Sequence, residues 1–383
     1  MIAYKEIAQI KNVKGINPVT GDYSYEENGR GYLCIDGVLL EKEEAASKIV
    51  SVGEYTYVRY NRYGTLEVYS GHTLLKVFER DIRLLDGDVG AYVGYRIYTP
   101  KTLDASENIL SISDGQPLLL HNVPYWLYKV GEEIIGYKIL ECKLSRLNYS
   151  GEVLWTFDLP LRPRSGEPDN LDKVLGIAQG LLWICTRWYR LIALNLETGK
   201  PVHQFSGGWF DEDHSNYTVL DSLGWCFFRE AEKTIVLISN FGVQILDAAT
   251  AKIIEGYSFS EVDPQGIGAF EYFDAARLYG DCLTFIAQRH REAHGYRCAG
   301  IFDLKARQFS WIGDIISLEE KMSTGNHLIA QFPLQMEGNR LYIKDAENTL
   351  HIYQKEWRLK AQVRPQSEAT AFAVCATTPT VGR

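Results

Sequence analysis

The chain has 383 residues, 46% hydrophobic and 23% charged, with a formal net charge of −9 at pH 7. That composition suits a soluble globular protein with a sizeable core and excludes general disorder. The acidic balance excludes a broad phosphate-backbone binder, so no nucleic acid is expected as a partner, whereas a basic protein is favoured.

The opening stretch, MIAYKEIAQIKNVKG, scatters charges through its apolar residues and does not read as a signal peptide. No apolar run approaches the roughly 18 residues of a membrane span. A cytoplasmic location with no membrane partner is therefore expected. The seven cysteines are scattered, odd in number and without a C-x-x-C pair, which reads as buried thiols rather than a disulfide frame or zinc site.

Along the chain, residues 1–30 give no clear element. Residues 40–50, LEKEEAASKIV, predict a short loop helix. A repeated strand–turn plan then begins. YTYVRYNRYGTLEVYSGHTLLKVF (55–78) turns near Gly64 and at Ser70-Gly71. GAYVGYRIYTP and NILSISDG (within 90–115) suggest a compact extra unit or an insertion. YKILECKLSRLNYSGEVLWTF (137–157) turns at Ser150-Gly151, and GLLWICTRWYRLIALNLETGKPVHQF (180–205) at Thr198-Gly199. KTIVLISNFGVQILDAATAKIIEGYSF (233–259), a looser copy over 280–313, and NRLYIKDAENTLHIYQKEWRLKAQV (339–363) complete the series. A second loop helix is predicted at ISLEEKM (316–322). The two ends, 1–30 and 365–383, each either close the ring or are disordered, and FAVCA (372–376) favours a strand in the tail.

The third strand of each copy centres on Val68, Leu147, Leu194, Leu246, Phe302 and Ile352, at intervals of 79, 47, 52, 56 and 50 residues. Units of about 50 residues with a constant internal turn pattern predict an all-β fold: a β-propeller of six to seven four-stranded blades. Six follow from the anchors, and a compact unit in the long first interval makes the favoured count seven. A single sheet cannot bury both of its apolar faces, and stacking around an axis does so. The whole of 1–383 is read as one domain.

The turn ALNLETGKPV, with Ala193, Asn195, Thr198 and Gly199, resembles the repeat signature of quinoprotein-like (PQQ-like) β-propellers. LNYSGEVLW repeats it with Asn148, Ser150, Gly151 and the trailing Trp155, and LDAATAKII is a degenerate copy with Asp247 and Ala251. The resemblance implies the propeller fold. The adjacent cysteines of the quinone-binding members are absent, so no quinone and no other cofactor is expected.

Motifs for chemistry are thin. TGK at 198–200 lacks the spacing of a P-loop, and RHREAH (289–294) fits neither metal-binding His–Glu order. The segment GGWFDEDHSNY (207–217) gathers Trp209, Phe210, Asp211, Glu212, Asp213, His214 and Tyr217 between two blades. Its acids neither alternate nor surround a glycine as a calcium loop would, so no metal is assigned. Two other inter-blade segments stand at the same phase. One carries Glu167 and Asp169, the other Glu261, Asp263, Glu271 and Tyr272. Aromatics beside charge are the composition of interface anchors.

These residues together predict an acidic, aromatic loop face that binds another protein, with no catalytic residues. One concrete form is an immunity-type protein that neutralises a basic bacterial toxin domain. The alternatives are an enzyme or a small-ligand or metal binder using the axial funnel, and a scaffold subunit of a larger assembly.

Overall fold

The computed structural model describes residues 2–17, 19–61, 64–79, 82–84, 92–98, 105–111, 125–162, 165–188, 190–206, 224–239, 241–289, 295–317, 319, 329, 335–337 and 339–357. Its strands form antiparallel sheets that succeed one another along the chain. After β1 (Ile2–Ile10), blade 1 contains β2 (Val13–Ile16), β3 (Tyr23–Glu27), β4 (Arg30–Ile35) and β5 (Val38–Lys42). Blade 2 contains β6 (Lys48–Val52), β7 (Tyr55–Arg59), β8 (Thr65–Ser70) and β9 (Thr73–Glu79). A three-stranded sheet follows, built from β10 (Ile82–Leu84), β11 (Tyr92–Tyr98) and β12 (Ala105–Ser111).

Blade 3 holds β13 (Trp126–Val130), β14 (Glu133–Lys138), β15 (Lys143–Leu147) and β16 (Val153–Asp158). Blade 4 holds β17 (Leu171–Ala178), β18 (Leu181–Thr186), β19 (Arg190–Asn195) and β20 (Pro201–Ser206). Blade 5 holds β21 (Trp225–Arg229), β22 (Thr234–Ile238), β23 (Gly242–Asp247) and β24 (Lys252–Ser258). Two single-turn helices, α1 (Phe259–Val262) and α2 (Pro264–Ile267), lead to blade 6, with β25 (Phe270–Tyr279), β26 (Cys282–Arg289), β27 (Cys298–Asp303) and β28 (Gln308–Asp314). Blade 7 contains β29 (Gln335–Glu337), β30 (Arg340–Lys344), β31 (Leu350–Trp357) and, as its outermost strand, β1.

The chain is an all-β propeller with seven four-stranded blades. The three-stranded sheet occupies the long first interval, where a compact extra unit was expected. Blade 1 was not foreseen. Nor was a helix formed over 40–50: β5 and β6 leave only residues 43–47 between them, too few for a stable helix. That link is pinned instead, with Ala46 N–H donating to Ser24 Oγ and Ser47 N–H to the Arg59 carbonyl. It crosses so close to Gly31 that a Cβ there would lie 1.9 Å from the Glu44 backbone. The second predicted helix and the tail beyond Trp357 lie largely or wholly outside the described residues.

The cores lie between blades, as the stacking argument requires. Leu144 and Trp155 of blade 3 meet Leu182, Ile184 and Leu194 of blade 4, all buried. Trp183 and Leu191 of blade 4 meet Ile235 and Leu237 of blade 5. Phe259, Phe270, Phe285, Phe302 and the half-buried Phe309 fill the space between blades 5 and 6, largely in edge-to-face pairs. On the periphery, apolar pairs of the fourth strands such as Leu74–Leu75, Val153–Leu154 and Ile253–Ile254 stay exposed.

Directional bonds fix the angle between neighbours. Trp155 Nε1 of blade 3 donates to the Leu196 carbonyl of blade 4 at 2.7 Å. Trp183 Nε1 of blade 4 donates to Ala248 of blade 5 at 2.8 Å, and the Tyr257 hydroxyl of blade 5 donates to Leu304 of blade 6 at 3.3 Å. Each accepting residue also donates its own N–H to the first hairpin turn of its blade, to Gly180, Lys233 and Asp281 respectively. Removing Trp183 Nε1 leaves the Ala248 carbonyl without that partner, at a cost of about 1–3 kcal/mol, whereas the Leu196 carbonyl keeps a second donor, Arg146 Nη1 at 3.0 Å. Trp183→Phe should therefore lose about that much in urea unfolding while keeping the fold, and Trp155→Phe should lose less; an unchanged midpoint for Trp183→Phe would show that its bond contributes nothing.

The ring is closed by β1, which pairs antiparallel with β31 from Ile2↔Trp357 to Ile10↔Leu350. His351 locks the join. Its Nδ1 lies 2.8 Å from Glu6 Oε1 on β1, and its Nε2 lies 3.3 Å from Oδ2 of the buried Asp345. Burial alone would lower the imidazole pKa, but the hydrogen bonds to Asp345 and Glu6 and their charges outweigh it, and the net shift is upward. The protonated ring therefore adds stability that is full below the unfolded histidine value of about 6.5 and is lost as pH rises through the folded value. Urea stability should fall across that window, and His351→Gln should flatten the fall. Parallel profiles for the two proteins would rule the latch out.

Candidate functional site

In every complete blade the fourth strand returns to the face from which the next first strand starts, so the inter-blade connections share one face of the disc. Three consecutive connections carry the residues singled out from sequence: 159–170, 207–224 and 259–269. The middle one holds Trp209, Phe210, Asp211, Glu212, Asp213, His214 and Tyr217, which lie outside the described residues.

The connection 159–170 is a small, firmly held hairpin. Leu161 bridges Pro168, the Arg162 N–H donates to the Glu167 carbonyl, and Arg190 Nη2 donates to the Leu161 carbonyl at 2.7 Å. The Tyr137 hydroxyl reaches Asn170 Oδ1 and accepts from the Leu171 N–H. Glu167 is exposed and makes an ion pair with Arg162 at 3.1 Å, and the Arg162 guanidinium stacks over Trp188. Asp169 is fully buried, so it is not part of any exposed face. Its Oδ1 accepts from the Asn170 N–H, and its Oδ2 has no hydrogen-bond partner among the described residues.

In 259–269 the acids shape the chain. Ser258 Oγ accepts from the Glu261 N–H while Glu261 Oε2 accepts from the Ser258 N–H, a reciprocal capping box at α1. The Ser258 backbone N–H, more than any other group, holds the Glu261 carboxyl below its ordinary pKa. Asp263 caps α2 through the Gly266 N–H, and its other oxygen accepts from the Phe309 N–H of blade 6 at 2.9 Å. Asp263 thus ties the connection to the blade that follows. Glu271 and Tyr272 fall within β25, the innermost strand of blade 6.

The face has exposed apolar residues that sequence reasoning did not select. Phe241, in the turn between β22 and β23, is 69% exposed, and Leu161 is 59% exposed. The Phe241 carbonyl accepts from the Phe259 N–H, which places that turn beside α1. Its signal in the sequence was plain: an aromatic at the tip of a tight turn.

Among the described residues no group of three or more His, Cys, Asp or Glu side chains could hold a metal ion. Six cysteines are free thiols, and Cys375 lies outside the described residues. Cys185 and Cys226 meet across blades 4 and 5, with 3.7 Å between their sulfurs. The hydrogen bond to Cys185, followed by burial, raises the Cys226 thiol well above its ordinary pKa, which makes it a poor nucleophile.

No protein-family model matches the chain, and no curated protein does. Similar solved structures include the C-terminal WD40 domain of Sif2, 13% identical over 92% of this chain and 98% of that one, with a TM-score of 0.55. Saccharomyces cerevisiae Sqt1 is 11% identical over 92% and 98%, with a TM-score of 0.54. The computationally designed Ika8 protein is 11% identical over 90% and 96%, with a TM-score of 0.51. The likeness is to WD-like propellers and does not single out the quinoprotein-like group; at these identities it shows the fold: an all-β propeller built from repeated four-stranded blades.

Proposed function

We propose that this propeller is a non-enzymatic protein-binding module that engages a basic partner through the face of its inter-blade connections. One observation carries the reading: three consecutive connections leave at the same face, and exposed apolar side chains, Phe241 and Leu161, stand there beside the exposed carboxylates of Glu167 and Glu261. Apolar anchors rimmed by charge are the usual anatomy of a protein interface. Rigidity adds to it, because the caps at Ser258, Glu261 and Asp263 and the bond from Arg190 hold two of the connections in place before any partner arrives.

The role of Asp169 and Asp263 in this reading is to shape the loops. Contact with the partner falls to Trp209, Phe210, Asp211, Glu212, Asp213, His214 and Tyr217, together with Glu167 and Glu261. The net charge of −9 favours a basic partner and speeds their encounter. An immunity-type protein that covers the basic cleft of a bacterial toxin domain is the concrete form proposed.

The test uses the full chain and a basic toxin-type domain encoded beside its gene. Binding should weaken at least about tenfold, the scale of a lost hot spot, for Trp209→Ala combined with Asp211→Ala and for Phe241→Ala, with unfolding midpoints unchanged. Association should slow as salt is raised. Binding that ignores both the variants and the salt would overturn the reading.

A further inference from the structure

An open cavity lies on the other face of the disc. Three consecutive first strands, β17, β21 and β25, together with the hairpin turns that end β21 and β25, line a space of about 690 Å³. That is within the range of pockets that hold small ligands, roughly 300–1,000 Å³. First strands border the axis, and these turns stand opposite the inter-blade connections.

The backbone is adapted to this space. β17 shifts register against β18 between Leu171 and Lys173 and again between Val174 and Gly176. β25 shifts against β26 between Asp274 and Arg277. β21, which lies between them, keeps an unbroken register with β22. Bulges bend a strand and re-aim its side chains, and here they fall at cavity-lining residues of both flanking strands. Gly176 lets the lining residue Phe228 approach β17, since a Cβ there would lie 2.3 Å from the Phe228 ring. The aromatic ring packs directly on the β17 backbone.

The charges are unevenly matched. Arg229 is paired with Asp281 at 2.9 Å, and Glu230 is paired with Lys233. Lys173 and Arg277 also line the cavity and make no ion pair among the described residues. The Lys173 ammonium instead lies 5.4 Å over the ring of Phe227, another lining residue. Of the lining acids only Glu232 is left without an ion pair among the described residues, and it is exposed on the turn. Among the described residues, two cations without an ion pair therefore line the cavity together with Phe227, Leu175 and Leu278.

We infer that this cavity binds a small organic anion, a carboxylate carried on an apolar or aromatic body, with Arg277 and Lys173 holding the carboxylate and Phe227 contacting the body. Guanidinium and ammonium groups form the strong class of charge-assisted bonds to carboxylates, and the aromatic wall accepts the remainder of the molecule. This site is separate from the partner-binding face.

The probes are 3-phenylpropanoate, butanoate and the neutral 3-phenylpropanamide, titrated into the full chain by calorimetry and ligand-observed NMR. The aryl acid should bind more tightly than butanoate and at least about tenfold more tightly than the amide. Arg277→Gln and Lys173→Gln should each weaken the acid by at least about fivefold, with the circular dichroism spectrum unchanged. Glu232→Gln should leave the affinity equal or tighter. Equal binding of acid and amide, no binding of either acid at millimolar concentration, or two well-folded variants that bind like the wild type would each overturn the assignment. Because Lys173 is an exposed side chain, its variant remains informative even if Arg277→Gln fails to fold.

Discussion

The hydrogen bond that an aromatic side chain of one blade makes to a turn carbonyl of the next is the constraint on which the disc depends. Apolar contact alone would let neighbouring sheets slide or pivot, because burial has no direction. The bonds from Trp155, Trp183 and Tyr257 supply one. In each case the acceptor directly follows the residue that caps the turn: Asn195, Asp247 or Asp303, whose side chains accept turn N–H groups. The cap sets the turn, and the turn aims the carbonyl at the preceding blade. Gly199 has two reasons to be glycine: a φ of 69°, and a Trp155 ring that would lie 2.6 Å from any Cβ.

With the blade angles fixed, the two ends of the first strands become different environments. At one end the connections between blades collect acids and exposed apolar tips, and Asp169, Glu261 and Asp263 accept backbone N–H groups there. At the other end bulged first strands open a space where, among the described residues, Lys173 and Arg277 make no ion pair. A single stacking rule thus produces two distinct surfaces, one at each end of the first strands.

Much of the fold was legible in the sequence because its turns are chemically marked. The Asn-x-x-Thr-Gly pattern around Asn195 has relatives at Asn148 and Asp247, so blades 3, 4 and 5 share it, and local capping is what a sequence records best. Blade 1 was missed although its hairpins carry the strongest short signals: Asn28-Gly29 and Asp36-Gly37, all four residues at positive φ. Its strands are rich in Tyr and Glu rather than continuous apolar runs, which hid them. The loop face was legible only as composition. Sequence could not tell that Asp169 would be buried while Glu167 was exposed, since two residues apart in a short hairpin is enough to turn a side chain inward. The axial cavity draws on residues from three blades and has no local signature.

Ring closure by β1 has a consequence for how the protein is made. β1 is made before every other described strand, yet its partner β31 comes after all of them, with Glu6 and His351 345 residues apart. Until β31 has been synthesised, β1 has no edge to join, and β31 presents its own open edge until β1 arrives, the kind of exposed strand that templates association with other chains. The entropic penalty of so long a loop rises only slowly with its length, so the finished ring loses little stability by it. The cost is kinetic: the seam forms after the blades, and a nascent or truncated chain lacking its last blade carries a free strand at each end of an open arc.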